Sequence, residues 1–137
     1  MTGAASPPAL RLLYVDDDAD IRHIVALSLR LDGAIDARFA GSGEEALELL
    51  RAEPQFDAAL VDVMMPGMGG MALAEEMRER GETRDVPVIF VTARGREADL
   101  DAYRARGAAG VIVKPFDPLT LPAEIRRQLG QAKVAQA

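Results

Sequence analysis

The chain contains no cysteine and a single histidine, His23. No disulfide framework, thiolate nucleophile or thiolate metal site is available, and one histidine cannot build a histidine-rich zinc site. Tryptophan is absent, with two tyrosines and four phenylalanines, so there is no aromatic platform for stacking nucleic-acid bases. Positive charge is also short: 16 Lys and Arg stand against 22 Asp and Glu, a net charge of −6. A DNA-binding surface needs clustered Lys and Arg, so the balance argues against nucleic acid as a partner. No apolar run approaches the ~20 residues of a membrane span, so no membrane insertion is expected. The opening Met1-Thr2-Gly3-Ala4-Ala5-Ser6-Pro7-Pro8 lacks the basic and apolar parts of a signal peptide. Residues 1–9 read as a disordered lead, and the expected compartment is the cytoplasm.

What remains is 137 residues with 49% hydrophobic content, which suits one globular domain with its own core. A central stretch organises it. Ala58 to Val61 is a short apolar run that ends in Asp62 and meets a Met64-Met65-Pro66-Gly67 turn. Such a run suits a strand buried on both faces. Similar runs are Leu10 to Val15, Val86 to Val91 and Val111 to Val113, and Ile35 to Ala40 alternates as an edge strand does. Helical spacing lies between them. Asp18 is placed to cap the first helix, with Ile21, Ile24, Val25, Leu27 and Leu31 on its apolar face and Gly33 as its stop. Ser42 and Glu45 match a capping box before Ala46, Leu49 and Leu50. Met71, Leu73, Ala74 and Met77 mark a third helix, Glu97 to Arg106 a short polar fourth, and Leu121, Ile125 and Leu129 a fifth. Five βα units call for an α/β fold, a parallel sheet with right-handed crossovers and helices on both faces. The domain is expected over residues 10–130, with 131–137 a flexible tail too short for an output module.

Four strand ends are polar: Asp16-Asp17, Asp62, Thr92 and Lys114. A single strand-end Asp is commonly a turn cap. Acids, a hydroxyl and an amine together on one sheet edge, where ligands bind in open α/β sheets, point to chemistry. Crowded carboxylates need compensation. Lys114 supplies one positive charge, and oxygen ligands without His or Cys favour magnesium or manganese over zinc. A carboxylate beside such an ion can attack phosphorus and form an aspartyl phosphate, with Lys114 and Thr92 holding the phosphoryl oxygens.

Taken in order, Tyr14-Val15-Asp16-Asp17-Asp18, Leu60-Val61-Asp62-Val63-Met64-Met65-Pro66, Val91-Thr92-Ala93 and Val113-Lys114-Pro115-Phe116 resemble the motifs of a response-regulator receiver domain. That family is the phosphoacceptor of two-component signalling, and the resemblance spans roughly Leu10 to Leu129. It implies a flavodoxin-like (βα)5 sheet of strand order 2-1-3-4-5 and a cis peptide before Pro115. It implies Asp62 as phosphoacceptor and Mg2+ ligand, Asp17 as direct ligand, Asp16 as ligand through water, and the Met64 backbone carbonyl as the remaining protein ligand. It makes Thr92 the switch hydroxyl and Lys114 the phosphoryl partner. It also implies a histidine kinase or histidine phosphotransfer protein as donor and a downstream protein as target.

Two departures stand out. Receivers usually carry Tyr or Phe three residues before the Lys, as partner of the switch Thr, and here that residue is Val111. Pro122 falls where the last helix should already run, so Thr120 is expected to cap, with Leu121 and Pro122 in the first turn. A rival reading is a haloacid-dehalogenase-type phosphohydrolase with Asp16 as nucleophile, because Asp16-Asp17-Asp18 satisfies its Asp-x-Asp motif. It needs an acidic pair after the Lys and has no use for Asp62. His23, the methionines at 64, 65, 68, 71 and 77, and the Arg78-Glu79-Arg80 and Arg104-Ala105-Arg106 runs read most simply as surface, core and solvated faces. The reading reached is a single-domain response regulator that signals through a phosphorylation-dependent surface, not an enzyme with turnover on an external substrate.

Overall fold

Five parallel strands, in the order β2-β1-β3-β4-β5, carry this chain. The computed structural model describes residues 9–53 and 55–136, with side chains through Gly130. The elements alternate: β1 Leu10–Val15, α1 Ala19–Arg30, β2 Ile35–Ala40, α2 Gly43–Ala52, β3 Ala58–Asp62, α3 Gly70–Glu79, β4 Val88–Thr92, α4 Glu97–Ala105, β5 Gly110–Val113 and α5 Leu121–Gln136. This is the expected doubly wound α/β order.

Each face of the sheet has its own core, because successive strand residues point to opposite sides. Leu13, Val15, Ala59, Val61 and Phe90 pack with Leu47 and Leu50 of α2, Leu73 and Met77 of α3, and Tyr103 of α4. Leu12, Tyr14, Leu60, Ile89, Val91 and Ile112 pack with Val25 and Leu29 of α1 and Leu121, Ile125 and Leu129 of α5. β3 is buried at every position, as its unbroken apolar run requires. β2 is an edge strand whose Ile35, Ala37 and Phe39 face the second core, while its Asp36 and Arg38 pair with each other at 2.6 Å.

Several local expectations are adjusted. In α1, Val25, Ser28 and Leu29 are buried, whereas Ile24, Leu27 and the C-capping Leu31 are 44%, 50% and 66% exposed. The buried stripe is set by Val25 and Leu29 in the second core, and Ser28 joins it by donating its hydroxyl to the Pro118 carbonyl. α1 stops at Arg30, where the Leu31 amide returns to Leu29 O and Ser28 O, so Gly33 is not its stop. The Ser42 hydroxyl accepts from the Glu45 amide at 3.1 Å, but the Glu45 carboxylate takes the Gly41 amide instead of Ser42's. β4 begins at Val88 because the Val86 amide closes a turn on Thr83 O and Pro87 has no donor. Leu121 and Pro122 open α5 as expected, while the Thr120 hydroxyl donates to Asp117 O instead of capping. α5 runs on to Gln136, so 131–136 is helical backbone where a tail was expected; the segment holds no Pro or Gly to break it. The lead, 1–8, lies outside the described residues.

Candidate functional site

Register decides what meets at the sheet's carboxyl edge. Val15 is level with Val61, Asp62 with Val91, and Thr92 with Val113. The next or last residues of four strands, Asp16, Asp62, Thr92 and Lys114, therefore emerge side by side. The backbone holds each in place. The Asp16 amide donates to Ala40 O, Val63 N to Val91 O, and Lys114 N to Thr92 O. The Lys114–Pro115 bond is cis. Asp18 leaves the cluster to cap α1, accepting from the Asp20 and Ile21 amides. Beyond β3 the chain turns through Gly67, at φ 69°, and returns so tightly that Gly70 lies against the Asp62 backbone. A Cβ on Gly70 would lie 2.9 Å from both Asp62 C and Val63 Cα.

Asp16, Asp17 and Asp62 each offer a carboxylate oxygen within 4.8 Å of the others. Asp16 and Asp62 are buried and Asp17 is exposed, so the cluster is open on Asp17's side. Lys114 Nζ lies 3.1 Å from Asp16 Oδ2 and 3.4 Å from Asp62 Oδ1. Burial opposes its charge, but the two carboxylates outweigh that and raise its pKa. Asp16 is tightly bound on both oxygens, taking the Asp18 amide on Oδ1 at 3.0 Å and the Tyr14 hydroxyl on Oδ2 at 3.0 Å. Burial and the Asp16 carboxylate hold the Tyr14 phenol well above its ordinary range. Asp62 has fewer partners. Burial and the Asp16 charge push its pKa up to about 6, against the pull of Lys114 and the Met64 amide. It is thus mostly ionised at pH 7 yet poorly solvated, a good state for a nucleophile. The three acids suit a hard divalent cation: oxygen donors, one open side and net negative charge after Lys114 is counted.

The structure thus brings Asp16, Asp17, Asp62 and Lys114 together. Met64 follows in the loop and is 67% exposed, unlike Met65, Met68 and Met71, which pack on the first core. Thr92 is at the same edge and fully buried. Among the described residues it accepts from the Arg94 amide at 3.0 Å and pairs with the Tyr103 hydroxyl at 3.3 Å. His23 is exposed on α1. Three contributors escaped sequence reasoning: Tyr14, Tyr103, and Arg22, whose guanidinium donates to Asp16 O at 2.7 Å. Tyr14 sits inside an apolar strand run, where it reads as core. Tyr103 sits in a polar helix with no apolar period around it, and nothing local links it to Thr92. The acidic pair wanted by a dehalogenase-type site does not form after Lys114, where Asp117 instead accepts from the Leu119 amide.

Comparison with known proteins agrees with this geometry. The response regulator receiver domain family matches residues 12–126. The phosphate regulon transcriptional regulatory protein PhoB of Escherichia coli (strain K12) is 37% identical over 120 residues, 86% of this chain and 51% of PhoB. The probable transcriptional regulator ycf27 of Guillardia theta is 38% identical over 125 residues, 91% of this chain and 47% of that protein. The chain thus spans about half the length of these curated relatives. Among solved structures, the chemotaxis response regulator CheY4 of Vibrio cholerae superposes with TM-score 0.78 at 31% identity, covering 88% of this chain and 98% of that one. A putative response regulator from Chloroflexus aurantiacus gives 0.79 at 34% identity, covering 89% and 98%. With the family matched along most of its length and the strand order and sheet-edge chemistry to go with it, this chain belongs to the response-regulator receiver family.

Proposed function

We propose that Asp62 accepts a phosphoryl group from a phosphohistidine on a histidine kinase or histidine phosphotransfer protein. The observation that carries this is the poise of Asp62: a buried carboxylate, flanked by Asp16, Asp17 and Lys114, with its pKa lifted to about 6. An Asp62 carboxylate oxygen attacks phosphorus and the O–P bond forms. The P–N bond breaks, and its electron pair returns to the imidazole nitrogen, which takes up a proton. Lys114 Nζ, already 3.4 Å from Asp62, is within reach of a phosphoryl oxygen, where its charge offsets the charge brought in. Thr92 is the second donor to those oxygens once its hydroxyl turns inward. Asp16, Asp17 and Asp62, with the Met64 carbonyl, would hold Mg2+, or Mn2+; when bound, the ion neutralises charge between carboxylates and phosphoryl oxygens. Tyr14 and the Asp18 amide keep Asp16 oriented for that task.

The chain in this reading is a stoichiometric acceptor whose changed surface is read by a downstream protein. This chain covers 98% of the CheY4 chain, which is named as a chemotaxis response regulator. PhoB and ycf27 are named as transcriptional regulators, and this chain aligns with about half of each. Its net charge of −6 supports assigning no nucleic-acid contact to these residues, and a cytoplasmic setting fits a kinase-fed acceptor. The test is acetyl phosphate with Mg2+, followed by intact mass. The expected result is one phosphoryl group per chain in the wild type and none on Asp62→Asn. Continued turnover of an aryl phosphate that survives Asp62→Asn would restore the hydrolase reading.

A further inference from the structure

We propose that Tyr103 is the positioning residue for Thr92. It holds the Thr92 hydroxyl away from Asp62 in the unphosphorylated protein and so ties α4 to the state of the site. This rests on the reading of Asp62 as phosphoacceptor. The Thr92 hydroxyl has one hydrogen and two lone pairs. The Arg94 amide takes one lone pair at 3.0 Å, and the Tyr103 hydroxyl meets the same oxygen at 3.3 Å from the α4 side. Both side chains are buried, so neither contact is traded freely for water. Swinging the Thr92 oxygen towards a phosphoryl group on Asp62 carries it off the Tyr103 hydroxyl, so the two contacts compete.

The consequence falls on α4 in particular. Tyr103 is the one buried residue of that helix, whose remaining side chains are polar, small or partly exposed. Its ring leans on Phe90, two residues before Thr92 in β4, with centroids 5.6 Å apart and planes at 50°. α4 is therefore seated on β4 by one side chain that ends on the residue the phosphoryl group recruits. Val111, level with Phe90 on β5, packs against the same core but has no polar atom with which to share the role.

The probe is beryllofluoride with Mg2+, which mimics a phosphoryl group on Asp62. The chain has only two tyrosines, so 13C-tyrosine labelling gives two ring signals, and Tyr103→Phe assigns them. Beryllofluoride should move the Tyr103 ring signal in the wild type and leave it in place in Asp62→Asn. Tyr103→Phe keeps the ring and removes the competing hydroxyl. It should bind beryllofluoride about fivefold more tightly, the worth of one net hydrogen bond. In a Thr92→Val background the same substitution should change affinity by less than about 1.5-fold, because the coupled partner is gone; a merely structural tyrosine would act equally in both backgrounds. Equal or weaker binding by Tyr103→Phe, or a Tyr103 ring that does not respond while Asp62 is occupied, overturns the proposal and leaves Asp62's role intact. A wild type that binds no beryllofluoride overturns the reading of Asp62, and the proposal with it.

Discussion

Asp62 is costly to the fold when ionised. Its pKa of about 6 in the folded chain compares with 3.8 for a free side chain, because burial and Asp16 disfavour the anion. Between those values the folded protein holds a proton that the unfolded chain has released. Stability therefore falls as pH rises through that window, and the loss is complete above about pH 6. Asp62→Asn removes the charge and should be more stable than wild type at pH 7 in metal-free buffer, by on the order of 2 kcal/mol. The gap should close as pH falls towards 4. Urea midpoints of the two proteins at both ends of the range measure it, and the difference between them cancels the other acids. A variant less stable than wild type at pH 7 would contradict the account. Asp17 is exposed, so of the two acids grouped with Asp16 only Asp62 is buried beside it.

At the level of elements, the site depends on how closely α3 is brought back beneath β3. Gly70 opens α3, and a methyl there would press on backbone atoms of Asp62 and Val63 that cannot rotate aside. Gly70→Ala should lower stability by roughly 1–3 kcal/mol, although Ala is the better helix former, and should impair labelling of Asp62. Gly81→Ala, with nothing within 4 Å, is the matched control and should stay within about 0.5 kcal/mol. Thermal unfolding of both separates packing from propensity; equal melting temperatures would rule out the clash. The same close fits explain what the sequence could and could not reveal. Asp16, Asp62, Thr92 and Lys114 were legible because each terminates an apolar run, and parallel topology gathers strand ends whatever the detailed packing. The face of α1 was not, since Ser28 is buried by an acceptor on Pro118, 90 residues away. Tyr103 was hidden for a like reason. Its partners, Thr92 and Phe90, lie on β4, and a lone aromatic in a polar helix carries no period to betray the face it buries.

For the whole molecule, three carboxylates facing one ammonium leave a surplus of negative charge that exists only when β1, β3 and β5 are assembled. A divalent cation should thus bind the folded state and not the unfolded chain. Mg2+ should raise the melting temperature, with stabilisation of about 1.4 kcal/mol at ten times Kd. Asp17→Ala should abolish that response and leave the metal-free protein as stable as wild type or slightly more so, through relief of repulsion. A magnesium shift of wild-type size in Asp17→Ala, followed by scanning calorimetry, would remove Asp17 from the ligand set. The separation of Lys114 from Asp16, 98 residues, has a further effect in time. A ribosome delivers Asp16, Asp17 and Asp62 long before it delivers Lys114. A nascent chain that has released β1 to β4 holds every acid of the cluster and not the cation that lies between Asp16 and Asp62. Closing the sheet edge then waits on β5, and the acids gain their cation in one step, when that strand docks and brings Lys114 between Asp16 and Asp62.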